Sequence, residues 1–510
     1  VVDPVLGRTD AARRPIPVRG SGTLSGAAAR GLAALERRVR HDLTCLNLPP
    51  PNWPAQVSAP DGAQALDVLV VGAGMLGIAA ASALIAKGVR NLELVDRAPA
   101  GREGPWTTFA RMETLRSPKH LTGPALGIPS LTFRAWYEAR EGNAGWEALY
   151  KIPNAVWAAY LGWLSKVLEL PITSETEVTA VEPAGAFLRV SLRGPEGDRT
   201  RFVRHLVLAT GRGGTGGGHI PDFADPSLFP DLAAHTAEAI DFERLRGRSV
   251  AVLGGGASAW DNAATALEAG AAPVNMYVRR HVLPQINKSR GTANPGFYYG
   301  WEALDDAQQW ALNVYLEDLQ APPPHETVQR TIRHKRFHVH LGTPITSARR
   351  ERDEVRLRLQ GRDEEERADF LIVGTGFRVD LTATPELRAF AQAAATWGDR
   401  YEPPAELTRP DLARYPYLGP AFELTEREPG TCPALSRVHL FNYAAHLSHR
   451  QLSGDIPGVE VGADKLSTGI AKALFREDIG HLRTQLEAFA EPELQSTPFF
   501  ALQAELDPKR

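Results

Sequence analysis

The chain has 510 residues, 43% of them hydrophobic, and a net charge of -3 at neutral pH. That length supports two or three packed domains, and acids mixed with bases along it leave no basic surface for nucleic acid or a membrane. Cys45 and Cys432 are too few for a disulfide framework and too far apart for a zinc or CxxC pattern.

In chain order, a Pro/Arg/Gly lead, one helix over GAAARGLAALERRVRHDL and the connector NLPPPNWPAQVSAPDG make residues 1–64 a helical extension. It is expected to pack on, or strap across, the first domain, and it is a candidate contact for a homo-oligomer. The first residues VVDPVLGRTDAARRP lack a secretory hydrophobic core, and apolar runs stop short of a membrane span, so a cytoplasmic location is expected. From Ala65, LDVLVV reads as a buried strand, MLGIAAASALIAKG as a small-residue helix and NLELVD as a second strand. A β-meander then spans ITSETEVTAVEPAGAFLRVSLRGPEGDRTRFVRHLVLATG and closes on Thr210 and Gly211.

The order then repeats. VAVLGGGASAWDN is a strand, glycine turn and helix, and PITSARRERDEVRLRLQGRDEEERADFLIVGTGF is a second meander closing on Thr375 and Gly376. The expected fold class is therefore α/β, with two Rossmann-like dinucleotide-binding domains, each with a β-meander, the second inserted in the first. The expected boundaries are 65–235 for the first part of one domain and 236–370 for the inserted domain, itself carrying helices at 296–320. The first domain resumes over 371–480, and a C-terminal helix and tail fill 481–510. PELRAFAQAAATW reads as a further helix.

Gly72, Gly74 and Gly77 form GxGxxG between a strand and a helix. Such a turn lets the backbone approach a pyrophosphate at the helix N-terminus. Asp96 ends the following strand, where an acid accepts hydrogen bonds from a ribose, and Arg97 follows it. The second turn, Gly254, Gly256 and Ala259, opens a helix at Ser258, and its next strand ends in Arg279 and Arg280 instead of an acid. Two guanidinium groups suit a 2′-phosphate. The first site reads as FAD-binding and the second as NADPH-binding. His334, His338 and His340 have no nearby carboxylate or cysteine, so they read as a basic surface strand and no metal is assigned.

These features resemble the flavoprotein oxidoreductases with paired nucleotide domains, in particular the class B flavoprotein monooxygenases, which include flavin-containing and amino-acid N-hydroxylating enzymes. The missing cysteine pair sets aside their disulfide-reductase branch. LVLATG and LIVGTGF resemble the paired closing strands of that group, and GPWTTF places Trp106 where it carries an aromatic near the flavin. FPDLAAHTAEAIDF resembles its linker fingerprint, with Phe229 and His235 in register but Asp231 and Ala239 replacing a glycine and an aromatic. METLRSPKHLTGPALG is similar to the segment that presents a lysine to an amino-acid carboxylate, which points to Lys119. YAAHLSHRQLSG is similar to a C-terminal segment of the N-hydroxylases and points to His446 and Ser448. The loop LPQINKSRGTANPG adds Asn287, Lys288, Arg290 and Asn294 as polar candidates near NADPH and substrate.

The resemblance implies NADPH- and oxygen-dependent monooxygenation through a flavin C4a-hydroperoxide, with an amino acid or small amine as the N-hydroxylated substrate. S-oxygenation, Baeyer-Villiger oxidation and a non-catalytic nucleotide-binding flavoprotein stand as alternatives.

Overall fold

Uninterrupted apolar runs make the central strands of both units, because each is covered by helices on its faces. In the first run Val68, Leu69 and Val70 are fully buried. The computed structural model describes residues 25–499, so the Pro/Arg/Gly lead and the last residues of the tail lie outside the described residues. The first sheet contains β1 (Leu66–Val71), β2 (Leu92–Val95), β3 (Ile172–Thr173), β4 (Glu177–Ala184), β5 (Phe187–Gly194) and β6 (Gly197–Leu208). Their order is β3-β2-β1-β6-β5-β4, with Val438–His439 added beside β6. β1 pairs in parallel with β2 and β6, while β4, β5 and β6 are antiparallel. The long β6 thus serves both as the last meander strand and as a nucleotide-sheet strand.

The second unit contains β7 (Ala233–His235), β8 (Val250–Leu253), β9 (Val274–Val278) and β10 (Phe337–Leu341). A separate meander follows, of β11 (Ile345–Glu351), β12 (Glu354–Leu359) and β13 (Glu366–Ala368), before β14 (Phe370–Val373). The parallel sheet runs β10-β9-β8-β14-β7. It begins at Ala233 and ends at Val373, a few residues outside the span 236–370 read from the sequence. Asp369 interrupts β13 and β14, and its carboxylate accepts from the Ser249 N–H at 2.7 Å and hydroxyl at 2.8 Å. The second meander is a sheet of its own, apart from the parallel one.

One sequence expectation differs from the structure. The alanine-rich stretch 385–397 is not a helix: a 3-10 turn at Pro385–Leu387 is followed by turns, and helix begins only at Trp397. Ala395 N–H instead donates to Thr425 O at 2.8 Å, and Phe390, Ala394 and Ala395 are fully buried, so tertiary packing overrides alanine's helix preference. The inserted helices are two, Pro295–Gly300 and Asp306–Leu319, the second starting at a capping box of Asp305 and Gln308.

The N-terminal extension is a helix, Gly26–Cys45, capped by Ser25 and packed on the helix Phe133–Ala148. A Cβ on Gly31 would lie 1.9 Å from Ala139 O, which shows how closely the two backbones cross. The connector is strapped across the first domain, with the Trp53 indole N–H donating to Lys87 O at 2.8 Å. Behind it Arg204, 3% exposed, donates to Asp67 at 3.1 Å, Glu477 at 2.9 Å and Asp478 at 2.7 Å. Asp478 also accepts the Ala55 N–H at 2.9 Å, so connector, sheet and C-terminal helices meet at one buried charge cluster. Among the described residues no helix is long and apolar enough to cross a membrane.

Candidate functional site

Each glycine turn is shaped by contacts that admit no side chain. Gly72 has φ 98°, and a Cβ there would lie 2.6 Å from Ala209 O. A Cβ on Gly77 would lie 1.8 Å from Gly72 O, so the third glycine brings helix Met75–Ala86 against the turn. Gly74 caps that helix without a side-chain hydrogen bond, leaving backbone N–H groups at its N-terminus for a ligand. Asp96 accepts from the Ala73 and Ala98 N–H groups, both at 2.8 Å, which fixes its carboxylate beside the turn while further lone pairs stay free.

The second turn repeats the plan. Gly254 has φ 114°, and a Cβ there would lie 2.3 Å from Gly374 O. Gly256 caps helix Ala257–Glu268, again without a side-chain cap. Ala259 stands where the first turn has its third glycine, and its Cβ packs against Gly374 so closely that a side chain on Gly374 would meet it at 2.7 Å.

A cavity of about 760 Å³ runs from the first turn to the helix that follows the second. From the first unit it is lined by Gly72, Gly74, Asp96, Arg97 and Trp106, with Thr210 and Gly211 at the end of β6. From the second unit it is lined by Ser258, Asp261 and Asn262 of the helix that follows the glycine turn. The Trp106 indole nitrogen is buried and has no hydrogen-bond partner within the protein, an unused donor at the cavity edge.

The remaining sequence candidates are dispersed, and none of them is among the residues that line this cavity. Arg279 is exposed at the end of β9, and Arg280 donates to Asp318 O at 2.9 Å. Thr375 donates its hydroxyl to His219 O, and Gly376 has φ 84°. Lys119 donates to Trp146 O at 2.7 Å and lies 4.8 Å from the Trp146 ring. Asn294 caps the helix Pro295–Gly300, Lys288 is exposed, and the Asn287 side-chain oxygen is buried without a partner. Ser448 is buried and accepts from the Trp397 indole at 3.0 Å and the Leu418 N–H at 3.3 Å. His446 is half-buried against Arg450, and desolvation, reinforced by Arg450 and Arg212, pushes its pKa well below the usual histidine range.

Several site residues carry no local sequence signal, because their partners are distant in the chain. Arg116 lines the cavity from the first unit and binds the buried Asp261 of the second at 2.9 Å, while Thr327 donates to the other Asp261 oxygen at 2.7 Å. Arg111 donates to Thr236 O at 2.7 Å and Glu238 O at 2.6 Å, gripping the segment that joins the units, and burial lowers its pKa to about 10. His235 of that segment sits edge-on to Phe377 at 5.6 Å, and burial lowers its pKa. Glu386, from the second half of the chain, closes the Asp96 end of the cavity, and burial raises its carboxyl pKa. Arg212 also lines the cavity, over the ring of Tyr443. Among the described residues there is no group of three His, Cys, Asp or Glu side chains that could hold a metal.

Two strand-turn-helix units, with one cavity reaching from the turn of the first to the helix of the second, define a flavoprotein oxidoreductase of the two-nucleotide type. Residues 69–293 match the family model described as pyridine nucleotide-disulphide oxidoreductase. Cys45 and Cys432 are both free, so the disulphide chemistry in that description has no cysteine pair here. Over 452 residues the chain is 39% identical to the FAD-dependent urate hydroxylase of Xanthomonas campestris pv. campestris, covering 88% of this chain and 94% of that protein. The chain belongs to the family of flavin-dependent monooxygenases that contains this hydroxylase. In fold it is similar to the ornithine N-hydroxylase of Kutzneria sp. 744, with a TM-score of 0.63, 16% identity, and coverage of 80% of this chain and 99% of that one. The ornithine hydroxylase of Pseudomonas aeruginosa gives a TM-score of 0.63 at 17% identity, covering 80% and 100% of the two chains.

Proposed function

We propose that the chain is an NADPH- and oxygen-dependent flavoprotein monooxygenase that holds FAD on the first glycine turn and NADPH on the second, and hydroxylates a planar oxopurine of the urate kind. The observation that carries the substrate class is the 39% identity to the urate hydroxylase along 88% of the chain. The likeness to the amino-acid hydroxylases is one of fold, at 16–17% identity.

The residues present fit these groups. The bare N-terminus of helix Met75–Ala86 offers N–H groups to a pyrophosphate, and Asp96 offers its carboxylate to ribose hydroxyls. Trp106 contributes the unused indole donor described above. On the second turn Ser258 opens the helix at the cavity, and Arg279 is free to meet a 2′-phosphate. When bound, FAD reduced by NADPH supplies the oxygen-activating chemistry, which no side chain can supply. The protein's part is to bind and orient: Arg111 and the Arg116–Asp261 pair hold the two units in one arrangement, so that both nucleotides and the substrate share one cavity.

N-hydroxylation of an amine is the second reading, favoured by one observation. Met112, Leu115, Arg116 and Ser117 of the segment METLRSPKHL line the cavity, although Lys119 turns to Trp146. A panel of urate, ornithine, lysine and a simple diamine, scored by substrate-stimulated NADPH oxidation and product mass, separates the two. The primary reading expects stimulation by urate, and stimulation by the amines alone would replace it with the second.

A further inference from the structure

Arg212 follows Thr210 and Gly211 where the chain leaves β6, and its guanidinium carbon lies 4.8 Å from the centre of the Tyr443 ring. Both residues line the cavity. Their relative placement is fixed by Asn442, which is fully buried and donates to Thr210 Oγ1 at 3.0 Å and Thr215 Oγ1 at 3.1 Å. Among the described residues no hydrogen bond or ion pair engages the Arg212 guanidinium, so its five donors are available to a ligand.

Tyr443 also stacks on His446, with ring centres 5.4 Å apart and planes 23° from parallel. Behind His446 lies Arg450, 4% exposed, which donates to Asn313 Oδ1 at 2.9 Å and to His446 Nε2. An arginine only donates, so His446 Nε2 accepts and the ring proton sits on Nδ1. The Arg450 Nε has no partner, its φ of 53° lies in the left-handed region, and no described carboxylate pairs with it. Asp455 and Glu317 act on it only at longer range. A buried unpaired cation and a strained backbone are both costly, and strain of this kind collects at functional sites. The wall around Tyr443 therefore carries two cations that no described carboxylate pairs with directly, one reachable from the cavity and one buried behind it.

We propose that Arg212, stacked on Tyr443 and backed by Arg450, receives the anionic edge of a planar, delocalised substrate, so that the enzyme takes its oxopurine as the anion. A guanidinium fork matches two adjacent acceptors on such an edge, and the tyrosine ring gives the flat molecule a stacking surface. Arg212 is then a specificity-determining residue, and Arg450 a positioning residue that acts through His446 and Tyr443. This inference rests on the oxopurine reading for the identity of the ligand, but not for its charge and shape.

The test is anaerobic titration of the FAD-loaded protein, followed by flavin absorbance, with urate and with caffeine, a planar oxopurine that carries no charge. Wild type binds urate far more tightly than caffeine. Arg212→Gln weakens urate about 10- to 100-fold, the scale of one charged contact, and narrows the urate-to-caffeine ratio, and Arg212→Lys restores part of both. Urate binding by Arg212→Gln within twofold of wild type, or an equal loss for NADPH, overturns the proposal. If wild type ignores urate but binds another planar anion through Arg212, the oxopurine reading fails and the anion site stands. If wild type binds no planar anion at all, both fail.

Discussion

Asp261, buried on the helix that leaves the second glycine turn, accepts a hydrogen bond from Arg116 of the first unit at 2.9 Å. This pair crosses the cavity wall and ties one nucleotide unit to the other. Arg116→Met leaves Asp261 buried with Thr327 as its one remaining side-chain donor. The expected outcome is a stability loss of about 1–3 kcal/mol in urea unfolding, below that of a fully buried pair because Arg116 is half-exposed. The KM for NADPH is expected to rise alongside.

The two glycine turns give a pair of variants with separable outcomes. Gly72→Ala places a Cβ 2.6 Å from Ala209 O at φ 98°, and Gly254→Ala places one 2.3 Å from Gly374 O at φ 114°. Gly72→Ala is expected to purify with little flavin absorbance. Gly254→Ala is expected to keep its flavin and to lose at least tenfold in the rate of reduction by NADPH. Flavin-to-protein absorbance and anaerobic stopped-flow reduction check the two, and the reverse pattern would exchange the nucleotide assignments.

Ser448 closes a buried polar junction, accepting from the Trp397 indole and the Leu418 N–H. Ser448→Ala leaves both donors unpaired inside the protein, with an expected cost of about 1–3 kcal/mol in chemical unfolding. Trp397→Phe in the same background removes one of those orphaned donors, so the double variant is expected to lose less than the sum of the two singles.

Burial pushes the Asp67 carboxyl up to about 6, against the opposing pull of Arg204. The raised folded value means that this group stabilises the folded state most at low pH and loses that contribution as pH rises through 6. Asp67→Asn removes the titration. Its stability relative to wild type is therefore expected to improve between pH 4 and pH 8, by up to about 3 kcal/mol. A stability difference that stays flat across that range would contradict it.

The nucleotide units were legible because each depends on local rules: an apolar strand, glycines where no Cβ fits, and a small-residue helix. Gly72, Gly254 and Asp96 needed only their neighbours in sequence. Arg116, Arg212 and Glu386 were not legible, since their partners Asp261 and Tyr443, and the cavity end at Asp96, lie far away in the chain. Composition misled at 385–397, where alanines that favour a helix are buried in the core outside any helix. Lys119 matched a pattern for contacting substrate, but its contacts in this fold are the carbonyl and ring of Trp146.

The most direct test of the central claim is turnover with NADPH and urate under isotopically labelled dioxygen, with NADPH consumption and product mass read together. The account predicts that urate accelerates NADPH oxidation and that one labelled oxygen atom enters the product for each NADPH consumed. NADPH oxidation indifferent to urate, amines and other planar anions, with all the dioxygen recovered as hydrogen peroxide, would contradict it.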